Sequence, residues 1–216
     1  MPAKKKIKKP EGSYHHGNLA ETLKSLALNR LEESKDSAFT IREIAREAGV
    51  SHAAAYRHFP SHRDLLAEIC KEGFIKITEA FTEAEKAASK DDPFDRLHKI
   101  GMAYIEFCIR NPGYYRAMWH TDLGPIGELI ELQEAGKQSF LKLWETILAC
   151  KADNGSNFDP RDMATASWSI VHGFSVLMNE YQLNNPVLQI DKNNAMEAAE
   201  KILNILLHGL KGRNRG

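Results

Sequence analysis

One short stretch of this chain, residues 52–58, reads His-Ala-Ala-Ala-Tyr-Arg-His and brings together His52, Tyr56, Arg57 and His58. Phenol, imidazole and guanidinium groups donate to phosphate oxygens, and an arginine can meet guanine through two parallel bonds. Ala53 and Ala54 carry bare methyl groups, which suit contact with thymine methyls. His52 and Arg57 are candidate base readers, and Arg57 serves equally well as a phosphate contact. This is duplex-binding chemistry, and the same region offers little for bond breaking. His58 and His62 stand four apart, but Pro60 interrupts any helix that would align them on a metal. The sequence has no Gly-x-Ser-x-Gly, Walker, His-Glu-x-x-His or dinucleotide pattern. Cys70, Cys108 and Cys150 are too widely spaced for a Cys-x-x-Cys site. The expectation is a binding protein, not an enzyme, with no catalytic residue, no metal and no cofactor.

Such a donor face needs a rigid mount. Thr40 precedes IREIAREAG with Glu43 three residues on, a capping box that starts a helix over 41–48. Gly49 supplies the left-handed turn, Ser51 caps a second short helix, and Pro60 ends it. Ile41, Ile44, Ala45 and Ala48 form the inner face of the first helix; Val50, Ala55 and Phe59 pack from the second. The spacing is that of a helix-turn-helix, with Ser51, His52, Ala53, Ala54, Tyr56, Arg57 and His58 left to face the major groove. Each helix is too short to stand alone. A helix over 18–34, capped by Asn18, and another over 62–88, capped by Ser61, are expected to hold them. Further helices are expected over 93–110, 112–120, 125–150, 160–183 and 193–210, with 151–158 as a polar loop. Strand-like alternation is almost absent, so the fold class is all-α: an N-terminal three-helix helix-turn-helix domain and a C-terminal helical bundle with dimerisation helices.

The chain has 216 residues, 43% apolar and 27% charged, with formal net charge zero. That balance is uneven: residues 1–70 carry +3 and the remainder −3. Five lysines crowd the first nine residues, and His15 and His16 follow. Residues 1–16 read as a basic flexible arm suited to a DNA backbone or a minor groove, 17–74 as the DNA-binding domain and 75–211 as an effector-binding and dimerisation domain. No apolar run reaches the ~18 residues of a membrane span, and the basic start lacks the apolar middle of a secretory signal. The expectation is a cytoplasmic protein with reduced thiols and no membrane partner.

The stretch from Gly17 to Phe74, with Ala-Gly-Val-Ser, then Tyr-x-His-Phe, then a leucine pair, resembles the DNA-binding domain of the TetR family of bacterial transcription regulators. The resemblance implies that Thr40, Tyr56, His58 and the His62–Arg63 pair meet phosphates, His62 standing where the family usually has lysine. WSIVHG, with Trp168, His172 and Gly173, resembles the Trp-His-Gly signature of one subgroup of TetR-like C-terminal domains, as does NPGYYRAMW at 111–119.

Aromatic and thioether side chains gather in the C-terminal half. Tyr104, Phe107, Tyr115, Met118, Trp119, Trp144, Trp168 and His172 are candidates to line a pocket for a small hydrophobic or aromatic effector, with core packing the competing role for each. The last two long helices are apolar on more than one side. Ile170, Phe174, Leu177, Ala195, Ala198, Ala199, Ile202 and Leu206 are therefore candidates for a two-fold dimer interface. These readings converge on a homodimeric, ligand-responsive repressor that binds a palindromic operator in double-stranded DNA. The alternative is an effector-independent DNA-binding adaptor that recruits a protein partner.

Overall fold

A computed structural model describes residues 19–33, 39–119, 123–124, 128–154 and 158–211. The lysine arm, His15, His16, the Asn18 cap and the terminal GRNRG lie outside the described residues. Within them the regular elements are helices: α1 (Leu19–Glu33), α2 (Ile41–Glu47), α3 (His52–His58), α4 (His62–Ala87), α5 (Pro93–Arg110), α6 (Pro112–Trp119), α7 (Ile130–Asn154), α8 (Pro160–Asn179) and α9 (Ala195–Lys211).

The helix-turn-helix is built by local hydrogen bonds. Thr40 Oγ1 accepts from the Glu43 N–H at 3.2 Å while Glu43 Oε2 accepts the Thr40 N–H at 2.7 Å, closing the capping box. At the other end Gly49, at φ 71°, donates to the Arg46 carbonyl and Val50 to the Ala45 carbonyl. This pair of bonds is the Schellman closure, and the left-handed residue it needs costs glycine nothing. Ser51 Oγ then accepts from the Ala54 N–H at 3.2 Å and starts α3. At seven residues apiece, α2 and α3 depend on tertiary burial. Ile44, Ala45 and Ala55 have no exposed surface and pack with Leu23, Ala27, Leu31 and Leu65.

α4 joins the two halves without a linker. Its Leu65, Leu66 and Ile69 belong to the helix-turn-helix core, and its Ile77 and Phe81 to the core of the C-terminal bundle. α6 docks under α1 from the other side. Buried Arg116 donates from Nη1 to the carbonyls of Leu31 and Glu32, two of the acceptors that the end of α1 leaves open. Gly113 permits this approach: a Cβ there would stand 2.9 Å from the Leu28 carbonyl oxygen.

Three boundaries differ from expectation by four residues or more. α7 begins at Ile130 instead of 125, and it continues to Asn154 through residues expected to form a loop. Cys150, fully buried with its thiol donating to the Pro93 carbonyl, anchors the helix just before that polar end. Residues 151–153 are exposed, so their polarity marks solvent and not a break. α8 stops at Asn179, four residues before the expected 183. Tyr181 adopts φ 57°, with Tyr181 and Gln182 donating to the Met178 and Leu177 carbonyls, a Schellman closure built without glycine and therefore hard to see in the sequence.

Candidate DNA-reading face and apolar cavity

α3 buries Ala55 and turns His52, Ala53, Tyr56, Arg57 and His58 to solvent, with Ala54 half-buried. Positions 52, 53, 56 and 57 share one face by helical spacing, so two donors of different reach flank a shallow methyl surface. The hydroxyl of Ser51 accepts one backbone bond, which leaves its proton for an outside acceptor. Thr40 is committed more fully. Its hydroxyl donates to Glu43 Oε2 at 2.9 Å, and the Thr40 backbone N–H holds the Glu43 carboxyl below its usual range.

His62 and Arg63, expected at phosphate, are both engaged by other parts of the chain. The His62 ring stands edge-on to Phe39 at 4.7 Å, its Nε2 is buried, and burial lowers its pKa. Arg63 donates from Nε to the Leu123 carbonyl at 2.7 Å and from Nη1 to Glu128 Oε2 at 3.0 Å. His62 packs within the reading head, and Arg63 reaches from it to Leu123 and Glu128. Glu72 of α4 ties both α1 and α6 to itself: Lys24 donates to Glu72 Oε2 at 3.1 Å, and the Tyr114 hydroxyl donates to Glu72 Oε1 at 2.7 Å. Burial raises the Glu72 pKa, but those two bonds outweigh it and hold the carboxyl below its usual value.

The C-terminal bundle holds a cavity of about 270 Å³ with walls from α4 through α9. Of the expected pocket residues, Tyr104, Met118, Trp119 and Trp168 line it. The other four do not. Phe107 and Tyr115 are buried in the core beside Tyr114 and His172. Trp144 faces an outer groove with Phe140 and Arg161. His172 stands behind the wall, its Nδ1 2.8 Å from the Tyr104 hydroxyl and its ring 4.9 Å from that of Trp119. The remaining wall includes Phe74, Ile77 and Phe81 of α4, His98 and Gly101 of α5, Ser139 and Phe140 of α7, Ser167 and Val171 of α8, and Leu203, Leu206 and Leu207 of α9. The apolar members follow ordinary core spacing and carry no distinguishing signal. His98 and Ser167 did offer one, as polar residues on otherwise apolar helix faces.

The expected dimer residues also divide. Phe174, Ala195 and Ala199 are buried within the chain's own core, so they cannot meet a second copy, and Leu206 belongs to the cavity wall. Ala198 and Ile202 are half-buried against the same core. Ile170 is half-buried and Leu177 exposed on α8, and Tyr181 just past α8 and Ile205 on α9 (72% exposed) are exposed as well. Gly173 and Gly209 have open space where a Cβ would stand.

The three cysteines are buried and unpaired by disulfides, and burial pushes the thiols of Cys70 and Cys108 up to about 12. Among the described residues no group of three or more His, Cys, Asp or Glu could hold a metal, and no helix is long and apolar enough to cross a membrane.

Residues 37–69 match the family described as bacterial regulatory proteins, tetR family, and residues 97–200 match the tetracyclin repressor-like C-terminal domain. The chain is similar to the nucleoid occlusion factor SlmA of Edwardsiella ictaluri, 32% identical over 65% of this chain and 72% of that protein. It is also similar to SlmA of Serratia proteamaculans, 34% identical over 54% of this chain and 63% of the relative, so the match spans less than two thirds of that relative's length. Among solved structures, a Rhodococcus sp. RHA1 protein of unknown function has a TM-score of 0.75 at 26% identity, covering 93% of this chain and all (100%) of that one. The TetR family regulator PfmR of Thermus thermophilus shares the fold, with a TM-score of 0.66 at 20% identity over 86% of this chain and 97% of its own.

Proposed function

Because this chain belongs to the tetR family of bacterial regulatory proteins, DNA-binding regulators and not enzymes, we propose that it is a ligand-responsive repressor that binds a palindromic operator as a homodimer in the cytoplasm. The observation that carries this reading is the pairing, along one helix, of a donor-bearing α3 with a partly open apolar cavity: α4 supports the first and walls the second. In the proposed division of labour residues 1–16 lie along the DNA backbone, 17–74 read the operator and 75–211 hold effector and partner. Ser51, Tyr56 and His58 take phosphates, His52 and Arg57 the base edges, and Ala53 and Ala54 thymine methyls. Thr40 joins them through whatever its cap leaves free. One short helix reads few bases, and a two-fold dimer reads two half-sites about 34–36 Å apart or a multiple of that. The open apolar surface of Ile170, Leu177, Tyr181 and Ile205 is the proposed interface, with Gly173 and Gly209 allowing close helix approach.

α6 is the proposed messenger. Met118 and Trp119 line the cavity while Arg116, less than a turn away, grips the end of α1. A ligand that favours one placement of α6 thereby favours one separation of the two reading heads, and its leverage equals its difference in affinity between the two placements. Selection from a random DNA pool at stated salt tests the reading: a palindrome is expected, and the pair Tyr56→Ala and Arg57→Ala is expected to abolish its binding in a folded dimer. Retained binding refutes α3 as the reader. The second reading is an effector-independent DNA-binding adaptor that recruits a protein partner. A thermal-shift screen that finds no ligand, together with a stable protein complex on DNA, would favour it.

A further inference from the structure

Three residues that line the cavity carry buried polar atoms that the described protein leaves unpaired. Among the described residues, the buried side-chain atoms without a hydrogen-bond partner in the protein are His62 Nε2, His98 Nε2, Trp119 Nε1 and Ser167 Oγ. All but the first belong to cavity-lining residues. Buried donors are almost always paired, so three exceptions around one cavity need a cause.

Ser167 departs from its neighbours. On the same helix Thr165 donates to the Arg161 carbonyl and Ser175 to the Val171 carbonyl, both at 2.8 Å, and across the cavity Ser139 donates to the Gly136 carbonyl at 2.8 Å. That back-bonding is the ordinary refuge of a helical hydroxyl, and Ser167 lacks it. Trp119 is a donor only, and its indole is held by Phe74 at 5.7 Å, Trp168 at 5.9 Å and His172 at 4.9 Å between ring centroids. It cannot readily turn away to find a partner. His98 Nε2 lies 3.3 Å from Glu200 Oε1, outside hydrogen-bond alignment. The Tyr104 hydroxyl and His172 Nδ1 lie 2.8 Å apart and serve each other. Among the described residues no Lys, Arg, Asp or Glu lines the cavity, so a charged ligand would be buried there without compensation from them.

Building on the effector reading of this cavity, the geometry points to a ligand class: a neutral, largely hydrophobic molecule bearing a carbonyl-type oxygen that accepts from Trp119 Nε1–H, with Ser167 Oγ–H as the second donor. A carbonyl oxygen has lone pairs for both, and the hydrocarbon body fills the space between Phe74, Phe81 and Leu203.

The test uses the full-length dimer and three probes of similar shape: 2-acetylnaphthalene, its isostere 2-isopropenylnaphthalene, in which CH₂ replaces the oxygen, and 2-naphthoate. Calorimetric titrations compare the native protein with Trp119→Phe and Ser167→Ala, each checked for native helicity and for operator binding. Trp119→Phe is expected to weaken the ketone roughly three- to tenfold, the range of one neutral hydrogen bond, and to leave the alkene within about twofold. Ser167→Ala is expected to act in the same direction, and naphthoate to bind more weakly than the ketone. Equal weakening of ketone and alkene by Trp119→Phe makes Trp119 a mere wall and overturns the polar contact while leaving the effector cavity standing. Naphthoate binding more tightly than the ketone overturns the neutral class. Binding of none of the three probes by protein that still holds its operator overturns the effector reading itself, and this proposal with it.

Discussion

Replacing Arg63 with methionine keeps the aliphatic stem and removes the guanidinium, separating two roles that the residue could play. In the structure that group spans the reading head and the bundle, with Nε on the Leu123 carbonyl and Nη1 on Glu128. The first contact is a charge-assisted bond to the carbonyl of a residue only 6% exposed, worth about 1.5–3 kcal/mol. The second is a pair whose acid is 69% exposed, worth about 0–1 kcal/mol. Arg63→Met should therefore cost about 2–3 kcal/mol. At roughly 2–4 °C per kcal/mol for a chain of this size, the melting temperature falls by about 5–10 °C. Circular dichroism melts at fixed protomer concentration measure this. The companion assay is operator affinity against salt. A phosphate contact would flatten the slope of log K on log salt by ~0.9 per arginine; a clamp leaves the slope as it was. A variant with native melting temperature and a flattened slope would refute the clamp and restore Arg63 to the DNA.

Other perturbations probe the remaining joints. Ile205→Arg puts a charge on the most exposed large apolar residue of α9; sedimentation should show a monomer that retains its helicity and loses operator affinity, whereas an intact dimer would move the interface elsewhere. Gly113→Ala drives a Cβ to 2.9 Å from the Leu28 carbonyl oxygen, backbone that cannot yield like a flexible side chain. A loss of about 1–3 kcal/mol in urea unfolding is expected, and an unchanged midpoint would show that α1 and α6 do not meet as described. His62 titrates in the folded protein below its ordinary value because it is buried, so between the two values the unfolded chain binds more protons. Stability should be full above about pH 6.5 and fall as pH drops toward the folded value; His62→Phe should flatten that profile, and a native-like acid dependence in this variant would place the effect on another group.

The parts of this protein written plainly in its sequence are those closed by residues close to one another along the chain. The capping box of Thr40 and Glu43, the Gly49 closure and the Ser51 cap each form within five positions, so residue type and spacing suffice to place the turn and to orient α3. The periodicity of the longer helices likewise announces an all-α bundle. Tertiary structure decided the rest. Whether Trp119 or Trp144 reaches the cavity depends on how far α6 and α7 are rotated about their own axes, and no local bond sets that rotation. The apolar stripe of α9 covers more than one side, so only packing shows that Ala195 and Ala199 turn inward and Ile205 outward. Arg63 carries the charge of a phosphate ligand, yet the carbonyl of Leu123, 60 positions away, claims it. A cap is a contact between chain neighbours and can be read in order, whereas a cavity is the space left where six helices fail to meet, and its lining exists only after all six have packed.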